Sequence, residues 1–334
     1  MNILIATGIY PPALGGPAQY AYNMGIEWGK AGHKVGIKTY TFEHKLPKVI
    51  SHMCYFLKII PAVIWADFIY GLDTSAVGFP AVFASKIFGK KIIIRTGGDR
   101  LWEEYVERTR KLVLFKDFYV TTRNKWSLKD RALFKVSQWT MQNVSALVFS
   151  TAWQRDIFIS AYDLPKDHIH VIENYYGPKE ESFEPIRKDF IAGARPLQWK
   201  NIQILKEVFT SPEIIDAGAT YHKETCPHGE FMDKIAHSYA SLLVSLGDIS
   251  PNIILDTIRH NKPFIITEEN GLMDRIKDIA ITVNPKDPKD IKNKILWLCN
   301  KENYDAQVQK IKNFNFTHTW EQIAREVIEL YKKL

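Results

Sequence analysis

Short apolar runs rich in β-branched residues alternate with segments of helical pattern along most of this chain, and this alternation most constrains its fold. Strands that recur with helices between them are typical of parallel sheets built from β–α–β units. In the first half, the predicted strands are residues 2–7, 34–39, 67–70, 91–95, 146–150 and 170–172, and the predicted helices cover about residues 17–31, 76–88, 125–142 and 151–161. We therefore predict a doubly wound α/β domain over residues 1–175.

A polar segment interrupts the pattern at residues 176–187, where prolines and charged residues predict an interdomain linker. The alternation then restarts, with predicted strands at 190–193, 241–246, 263–267 and 279–283 and predicted helices at about 199–209, 251–260, 287–300 and 320–333. A second, reduced α/β domain is thus predicted over residues 188–318, followed by a C-terminal helix in 319–334. The capping pair Thr319 and Gln322 marks the start of that helix. A length of 334 residues favours two domains, because single cores rarely grow that large.

Charge is unevenly distributed along the chain. The net charge is +7, yet residues 1–150 alone carry 20 basic and 10 acidic side chains. Such asymmetry predicts an anionic partner for the N-terminal half, and no nucleic-acid motif accompanies it, so we expect an anionic membrane surface and no nucleic acid. Two stretches that mix aromatic and basic residues, 44–65 and 112–139, suit a membrane interface. Core packing with solvated lysines explains both stretches equally well.

The sequence also bears on compartment and metal content. Three widely spaced cysteines argue against a disulfide framework, and the N-terminus lacks the features of a signal peptide. No segment is expected to reach the ~18 to 20 uninterrupted apolar residues of a membrane-spanning helix. We therefore expect a cytoplasmic protein, peripheral at the inner face of the membrane. His222, Cys226 and His228 have a zinc-like spacing, but no fourth ligand is evident, so no metal site is predicted.

The first β–α connection contains adjacent glycines, Gly15 and Gly16, ahead of a helix that opens at Pro17. Glycines let backbone N–H groups approach a ligand closely, and a helix N-terminus favours a phosphate. A turn that simply requires glycine explains them equally well. The spacing from Gly8 does not match G-x-G-x-x-G, which argues against a nicotinamide or flavin enzyme.

Charged residues follow two strands of the predicted second domain. Arg195 and Lys200 come after its first strand, where ligands of open α/β sheets bind, and two cations there could neutralise a departing diphosphate. Farther on, seven residues separate Asp248 from Asp256, and Pro251 between them favours a helix start. Taken alone, Arg195 and Lys200 are explained equally well as solvated surface cations. Asp248 is explained as a turn residue and Asp256 as a solvent-facing helix residue.

Three features occur in order along the chain: the Gly-Gly loop, the Arg-x4-Lys pair and the two acidic residues. With these features in this order, the sequence resembles the retaining GT-B glycosyltransferases of family four over nearly the whole chain. The resemblance implies two Rossmann-like domains that face each other across a cleft. It also implies transfer of a hexose from a nucleotide-diphosphate sugar to a glycan or lipid-linked acceptor, with no cofactor and no catalytic metal. The donor contacts that it implies are Gly15, Gly16, Arg195, Lys200, Asp248, Ile249, Ser250, Asn252 and Asp256.

The resemblance also implies individual roles. The Gly16 backbone, Arg195 and Lys200 would bind the donor diphosphate, Asp248 the hexose hydroxyls and Asp256 the ribose. Backbone amides of residues 249–252 would complete this site.

The chain departs from the family at several points. Glutamate is usual at both acidic positions, where this chain has aspartate, and a histidine that often follows the fourth strand is missing from the stretch RTGGDRLWEEY. Asp99 in that stretch is the candidate contact to the acceptor or the transferred sugar. A nucleotide-sugar epimerase and a non-catalytic nucleotide-sugar-binding module are the alternative functions, and turnover of the donor would discriminate among the three.

Overall fold

The computed structural model describes residues 1–13, 15–193, 197–224, 226 and 228–334. These residues pack into two compact units. The first comprises Met1–Leu101, Asn124–Tyr175 and His318–Leu334, and the second comprises Trp102–Arg123 and Tyr176–Thr317. Each unit is built on one parallel sheet.

The sheet of the first unit has six parallel strands in the order β2-β1-β3-β4-β5-β6. They are β1 (Asn2–Thr7), β2 (Lys34–Thr39), β3 (Phe68–Gly71), β4 (Lys91–Thr96), β5 (Ala146–Phe149) and β6 (Ile169–Val171). The second sheet has the order β11-β10-β9-β7-β8, with β7 (Lys188–Gly193), β8 (Ala219–Glu224), β9 (Ala240–Leu243), β10 (Phe264–Thr267) and β11 (Ile281–Val283). The central strands are buried along their length because helices cover both faces of a parallel sheet.

The α-helices within the described residues are α1 (Gly16–Lys30), α2 (Lys48–Trp65), α3 (Gly78–Ile87), α4 (Arg100–Thr109), α5 (Phe118–Thr121), α6 (Leu128–Gln142), α7 (Ala152–Tyr162), α8 (Ile202–Phe209), α9 (Pro212–Asp216), α10 (His228–His237), α11 (Asn252–Arg259), α12 (Met273–Ile276), α13 (Pro288–Cys299), α14 (Lys301–Lys312) and α15 (Trp320–Lys332). Helix α15 begins at the predicted capping box of Thr319 and Gln322. It returns to the first unit, where the indole of Trp28 in α1 donates to the Ala324 carbonyl at 3.0 Å. The predicted fold class, two Rossmann-like α/β domains, is confirmed.

One stretch of the N-terminal half, residues Trp102–Arg123, packs in the second unit, and we call it the docked segment. It lies against the loops that follow β7 and β9. The Phe115 amide donates to the Leu246 carbonyl at 3.0 Å, and the Gln198 amide donates to Glu107 Oε1 at 2.7 Å. These hydrogen bonds attach the docked segment to both loops. The sequence suggested a single domain boundary near residue 176. Such a boundary does not place residues 102–123 in the second unit, because their position depends on contacts between distant parts of the chain.

Close packing at Gly247 leads to a stability prediction. A Cβ at Gly247 would lie 2.4 Å from the Cβ of Phe115 and 3.3 Å from the Trp102 ring, so even a methyl group must displace the docked segment. We expect Gly247→Ala to lower the free energy of unfolding by about 1–3 kcal/mol, the usual cost of overpacking. Urea denaturation followed by tryptophan fluorescence measures this loss.

Gly29→Ala is the matched control, since nothing lies within 4 Å of the added Cβ in α1 and alanine favours a helix. Equal stability of Gly247→Ala and the wild type would contradict the packing described here.

Helix α2 bears on the expectation that no segment could span a membrane. Its 18 residues are long and apolar enough, by length and composition alone, to cross a membrane, although Lys48 and Lys58 interrupt the apolar run. One face of α2 is nevertheless tied to the first unit. The Tyr55 hydroxyl donates to the Lys38 carbonyl at 2.9 Å, and Lys58 Nζ donates to the Thr39 carbonyl at 2.8 Å. These bonds attach the helix to β2.

Candidate functional site

The candidate site in the second unit lies where neighbouring strands end. Strand β9 pairs with both β7 and β10, so the loops that follow these three strands emerge at the same edge of the sheet. Lys200 follows β7 and Asp248 follows β9. Their side chains meet, with Lys200 Nζ 2.5 Å from Asp248 Oδ2. Two of the residues that the sequence singled out are thus brought together.

The Lys200–Asp248 pair is largely shielded from water. The Lys200 side chain is 15% exposed and that of Asp248 is 13% exposed. The ammonium also lies 4.3 Å from the centre of the Trp199 ring, a cation–π contact that restrains the lysine further. Coulomb attraction is stronger in such a site than in bulk water.

Backbone contacts hold Asp248 in place. Its amide donates to the Glu269 carbonyl at 2.9 Å, and its carbonyl accepts from the Gly271 amide at 3.2 Å. An isolated β-bridge also joins Asp248 to Asn270. The loop after β9 is therefore anchored to the loop after β10, and the carboxylate has a defined position.

Two buried polar atoms beside the Lys200–Asp248 pair have no hydrogen-bond partner within the described residues. They are the hydroxyl of Ser250 and Nε1 of Trp199. A buried polar group without a partner is costly, so such groups are often those that a ligand satisfies. Ser250 was predicted as a donor contact, whereas Trp199 was not.

Helix α11 begins directly after this loop. Its N-cap residue is Pro251, which provides no side-chain hydrogen bond to the helix. The amides of Asn252 and Ile253 therefore have no intrahelical partner, and such N–H groups favour an anion. Asn252 is exposed, whereas Ile249 is buried. The predicted amide contacts of residues 249–252 fall at this helix end.

Asp256 has a different environment. It is 8% exposed and lies 1 turn into α11, where its carboxylate is 3.3 Å from the Arg259 guanidinium. Arg259 also forms an ion pair with Glu180. Among the contacts described, Asp256 pairs with Arg259 rather than with Lys200 or Asp248. Its predicted role toward a ribose stays a prediction.

The remaining predicted residues lie elsewhere. In the first unit, Gly15 precedes α1 with φ +149°, and Gly16 begins that helix, which has no side-chain cap. Asp99 is 4% exposed and lies between β4 and α4. Arg195 lies outside the described residues. Of the two predicted cations, Lys200 lies within the described residues.

Sequence reasoning missed the pair formed by Glu269 and Lys116. Glu269 is 1% exposed, and Lys116 of the docked segment forms an ion pair with it. Burial raises the pKa of the Glu269 carboxyl above its ordinary value, and the hydrogen bond from Lys116 opposes that shift. Because the Asp248 amide bonds to the Glu269 carbonyl, this ion pair connects the docked segment to the candidate site. Two consecutive glutamates after an apolar strand were the available signal.

Within the described ranges, no group of three or more His, Cys, Asp or Glu side chains could hold a metal ion. His222 of the predicted cluster lies near Asp189, with Nε2 3.5 Å from Oδ1.

Comparison with solved structures defines the class of fold. Sucrose-phosphate synthase from Thermosynechococcus elongatus is similar over 99% of this chain and 98% of its own, with a TM-score of 0.69 and 11% identity. HepE from Anabaena, solved in complex with UDP, has a TM-score of 0.67 and 12% identity, with 100% of both chains covered. WaaG, a glycosyltransferase involved in lipopolysaccharide biosynthesis, has a TM-score of 0.68 and 10% identity, covering 98% of this chain and 99% of its own.

These likenesses show that the chain has the GT-B fold of two Rossmann-like domains. No protein-family model matches the sequence, and no curated protein is similar enough to match.

Proposed function

We propose that this protein is a retaining glycosyltransferase that moves a hexose from a nucleotide-diphosphate sugar to a glycan or lipid-linked acceptor. The observation that carries the proposal is the Lys200–Asp248 pair, placed where β7 and β9 end and directly before the uncapped helix α11. A cation and free amides suit a diphosphate, and an acidic acceptor suits sugar hydroxyls. Two solved structures of similar fold support a nucleotide-sugar transferase, since WaaG is described as a glycosyltransferase and HepE was solved in complex with UDP.

The proposed mechanism relies on positioning and electrostatics. The bond between the anomeric carbon and the diphosphate breaks while the acceptor hydroxyl attacks from the same face, which retains the configuration, and the departing diphosphate oxygen takes the hydroxyl proton. Lys200, Arg195 and the amides at the start of α11 neutralise the negative charge that develops on the leaving group. Asp248 accepts hydrogen bonds from hydroxyls of the transferred sugar. The Gly16 backbone would add to the diphosphate contacts and Asp99 would contact the acceptor or the sugar.

Binding of the donor requires Lys200 to exchange partners in part. In the structure its ammonium is neutralised by Asp248. A diphosphate carries more charge than one carboxylate and can share the three donors of an ammonium with it. We propose that the ion pair keeps Lys200 oriented before the donor arrives. The buried Ser250 hydroxyl would gain a partner at the same time.

The proposed reaction needs no cofactor and no metal, and this leads to a prediction. A panel of nucleotide-diphosphate sugars, tested by thermal shift with EDTA present, should contain at least one that raises the unfolding temperature, because a ligand of the folded state stabilises it. That compound should then be transferred or slowly hydrolysed in EDTA at an undiminished rate. The matched control is the same nucleotide diphosphate without the sugar, which should bind but give no turnover.

Each outcome of this experiment identifies one function. Interconversion of two sugars would replace the proposal by an epimerase, and binding without turnover would replace it by a binding module. Activity that EDTA abolishes and a divalent ion restores would refute metal independence.

A further inference from the structure

Helices α2 and α3 of the first unit present a continuous apolar face to solvent. On α2, Val49, Met53, Leu57 and Ile64 recur on one side of the helix, and Val49 is 81% exposed. On α3, Phe83 and Ile87 are also exposed and lie one turn apart. We call these six residues the α2–α3 apolar surface. Scattered exposed apolar residues are ordinary, but a contiguous set indicates an interaction site.

Aromatic contacts between the two helices make this surface continuous. The rings of Phe56 in α2 and Phe83 in α3 are 5.5 Å apart between centroids, and those of His52 and Phe79 are 5.4 Å apart. The opposite face of α2 is packed in the unit, with Tyr55, Ile59 and Val63 fully buried. Helix α2 therefore has one apolar face packed in the core of the unit and a second apolar face exposed to solvent.

The charged residues within helices α2 and α3 are all basic. Neither helix contains an aspartate or glutamate, while Lys48 and Lys86 are exposed on α2 and α3. Exposed Lys45 precedes α2. The nearby Glu43 is 1% exposed and pairs with Lys58 at 2.8 Å, so it does not offset the exposed lysines. Apolar side chains flanked by lysines match an interfacial helix on an anionic bilayer.

We propose that the α2–α3 apolar surface docks on an anionic lipid membrane, with α2 lying in the plane of the interface. Charge favours this occupant over a second copy of the chain. In a two-fold symmetric dimer the same patch meets itself, which would bring the lysines of one copy toward those of the other with no acidic residue between them on these helices. The hydrogen bonds from α2 to β2 favour a helix that lies on the bilayer over one that crosses it.

The second basic-aromatic stretch, residues 112–139, has a different character. Its aromatic residues Phe115, Phe118, Trp126 and Phe134 are buried, so they pack in the protein interior. Val120 and Leu128 are exposed there, at 86% each. That stretch therefore provides a matched control for the membrane proposal.

The test is flotation of the full chain with vesicles of phosphatidylcholine alone and of phosphatidylcholine mixed with phosphatidylglycerol, without any sugar substrate. We expect the wild type to float with the anionic vesicles and to be released by high salt. The double substitution Met53→Glu with Leu57→Glu should reduce the bound fraction about tenfold or more, because it places acidic groups in the apolar stripe. Replacing Lys45, Lys48 and Lys86 by glutamine should weaken binding to anionic vesicles selectively.

The control is Val120→Glu with Leu128→Glu, which introduces the same charges at positions that are more exposed than Met53 and Leu57 and should float like the wild type. Unfolding temperatures of all variants establish that they are folded. Three results would overturn the proposal. They are no flotation of the wild type, equal loss in the control, and a dimer in lipid-free solution that the Met53→Glu and Leu57→Glu pair dissociates. Because no donor is used, this result is independent of the proposed transferase activity.

Discussion

Replacing Asp248 by asparagine is expected to abolish sugar transfer, on the order of 100-fold or more, while binding of the free nucleotide diphosphate persists. Asparagine keeps the size of the side chain but replaces one acceptor oxygen by a donor, so contacts to sugar hydroxyls are mismatched. Lys200, no longer neutralised by a carboxylate at 2.5 Å, becomes more available to the diphosphate. Isothermal titration with the diphosphate and transfer assays with the full donor measure the two effects separately.

The matched control is Asp256→Asn, which alters the second acidic residue in a different setting. Asp256 pairs with Arg259 within α11 and not with Lys200 among the contacts described. We expect it to weaken nucleotide binding with a smaller effect on the choice of sugar, consistent with the predicted ribose contact. Equal weakening of nucleotide binding in both variants, or normal transfer by Asp248→Asn, would remove these roles.

Substitution of Lys200 by alanine is expected to reduce turnover on the order of 100-fold or more, because it deletes a charged donor to the developing diphosphate anion. It should also weaken the affinity for the nucleotide diphosphate, which distinguishes it from Asp248→Asn. The unfolding temperature of the variant should be measured as well, since Asp248 would be left 13% exposed without its cation. Turnover and diphosphate affinity together check the assignment.

Lys206→Ala serves as the control for Lys200→Ala, because Lys206 is an exposed lysine on the helix that follows, α8. Lys200→Arg should restore part of the affinity, since it retains the charge but changes the shape of the donor group. The double variant of Lys200 and Asp248 measures their coupling, which should be non-additive for two side chains in contact. Rates close to wild type in Lys200→Ala would exclude it from the site.

Much of the fold could be predicted because period-2 and period-3.6 patterns are local properties of the sequence. The predicted strand at residues 2–7 agrees with β1, and the predicted helix at 17–31 with α1. Helix α2 was missed because its mixture of apolar, basic and aromatic residues suggested an interface rather than a defined element. Strand β8 was missed because its sequence, ATYHKE, is polar for a buried strand and lies at the edge of the sheet.

The candidate site could be predicted only in part, for a related reason. Lys200 and Asp248 follow strands that the apolar pattern identifies, and adjacent strand ends meet in a parallel sheet. Their contact therefore follows from topology. The pair of Lys116 and Glu269 joins residues separated by more than 150 positions, and no pattern near either residue indicates the other. Such pairs become visible only when the chain is folded.

The docked segment has a consequence for recombining this chain with others of the same fold. Exchanging halves at residue 176 would transplant the loops after β7, β9 and β10 without residues 102–123, which pack against them. Lys116 would then face a foreign residue in place of Glu269, and the Glu107 carboxylate would face a foreign loop in place of the one that positions the Gln198 amide. A stable hybrid should therefore inherit residues 102–123 and 176–317 from the same parent, so the structural unit that must be kept together is discontinuous in the gene.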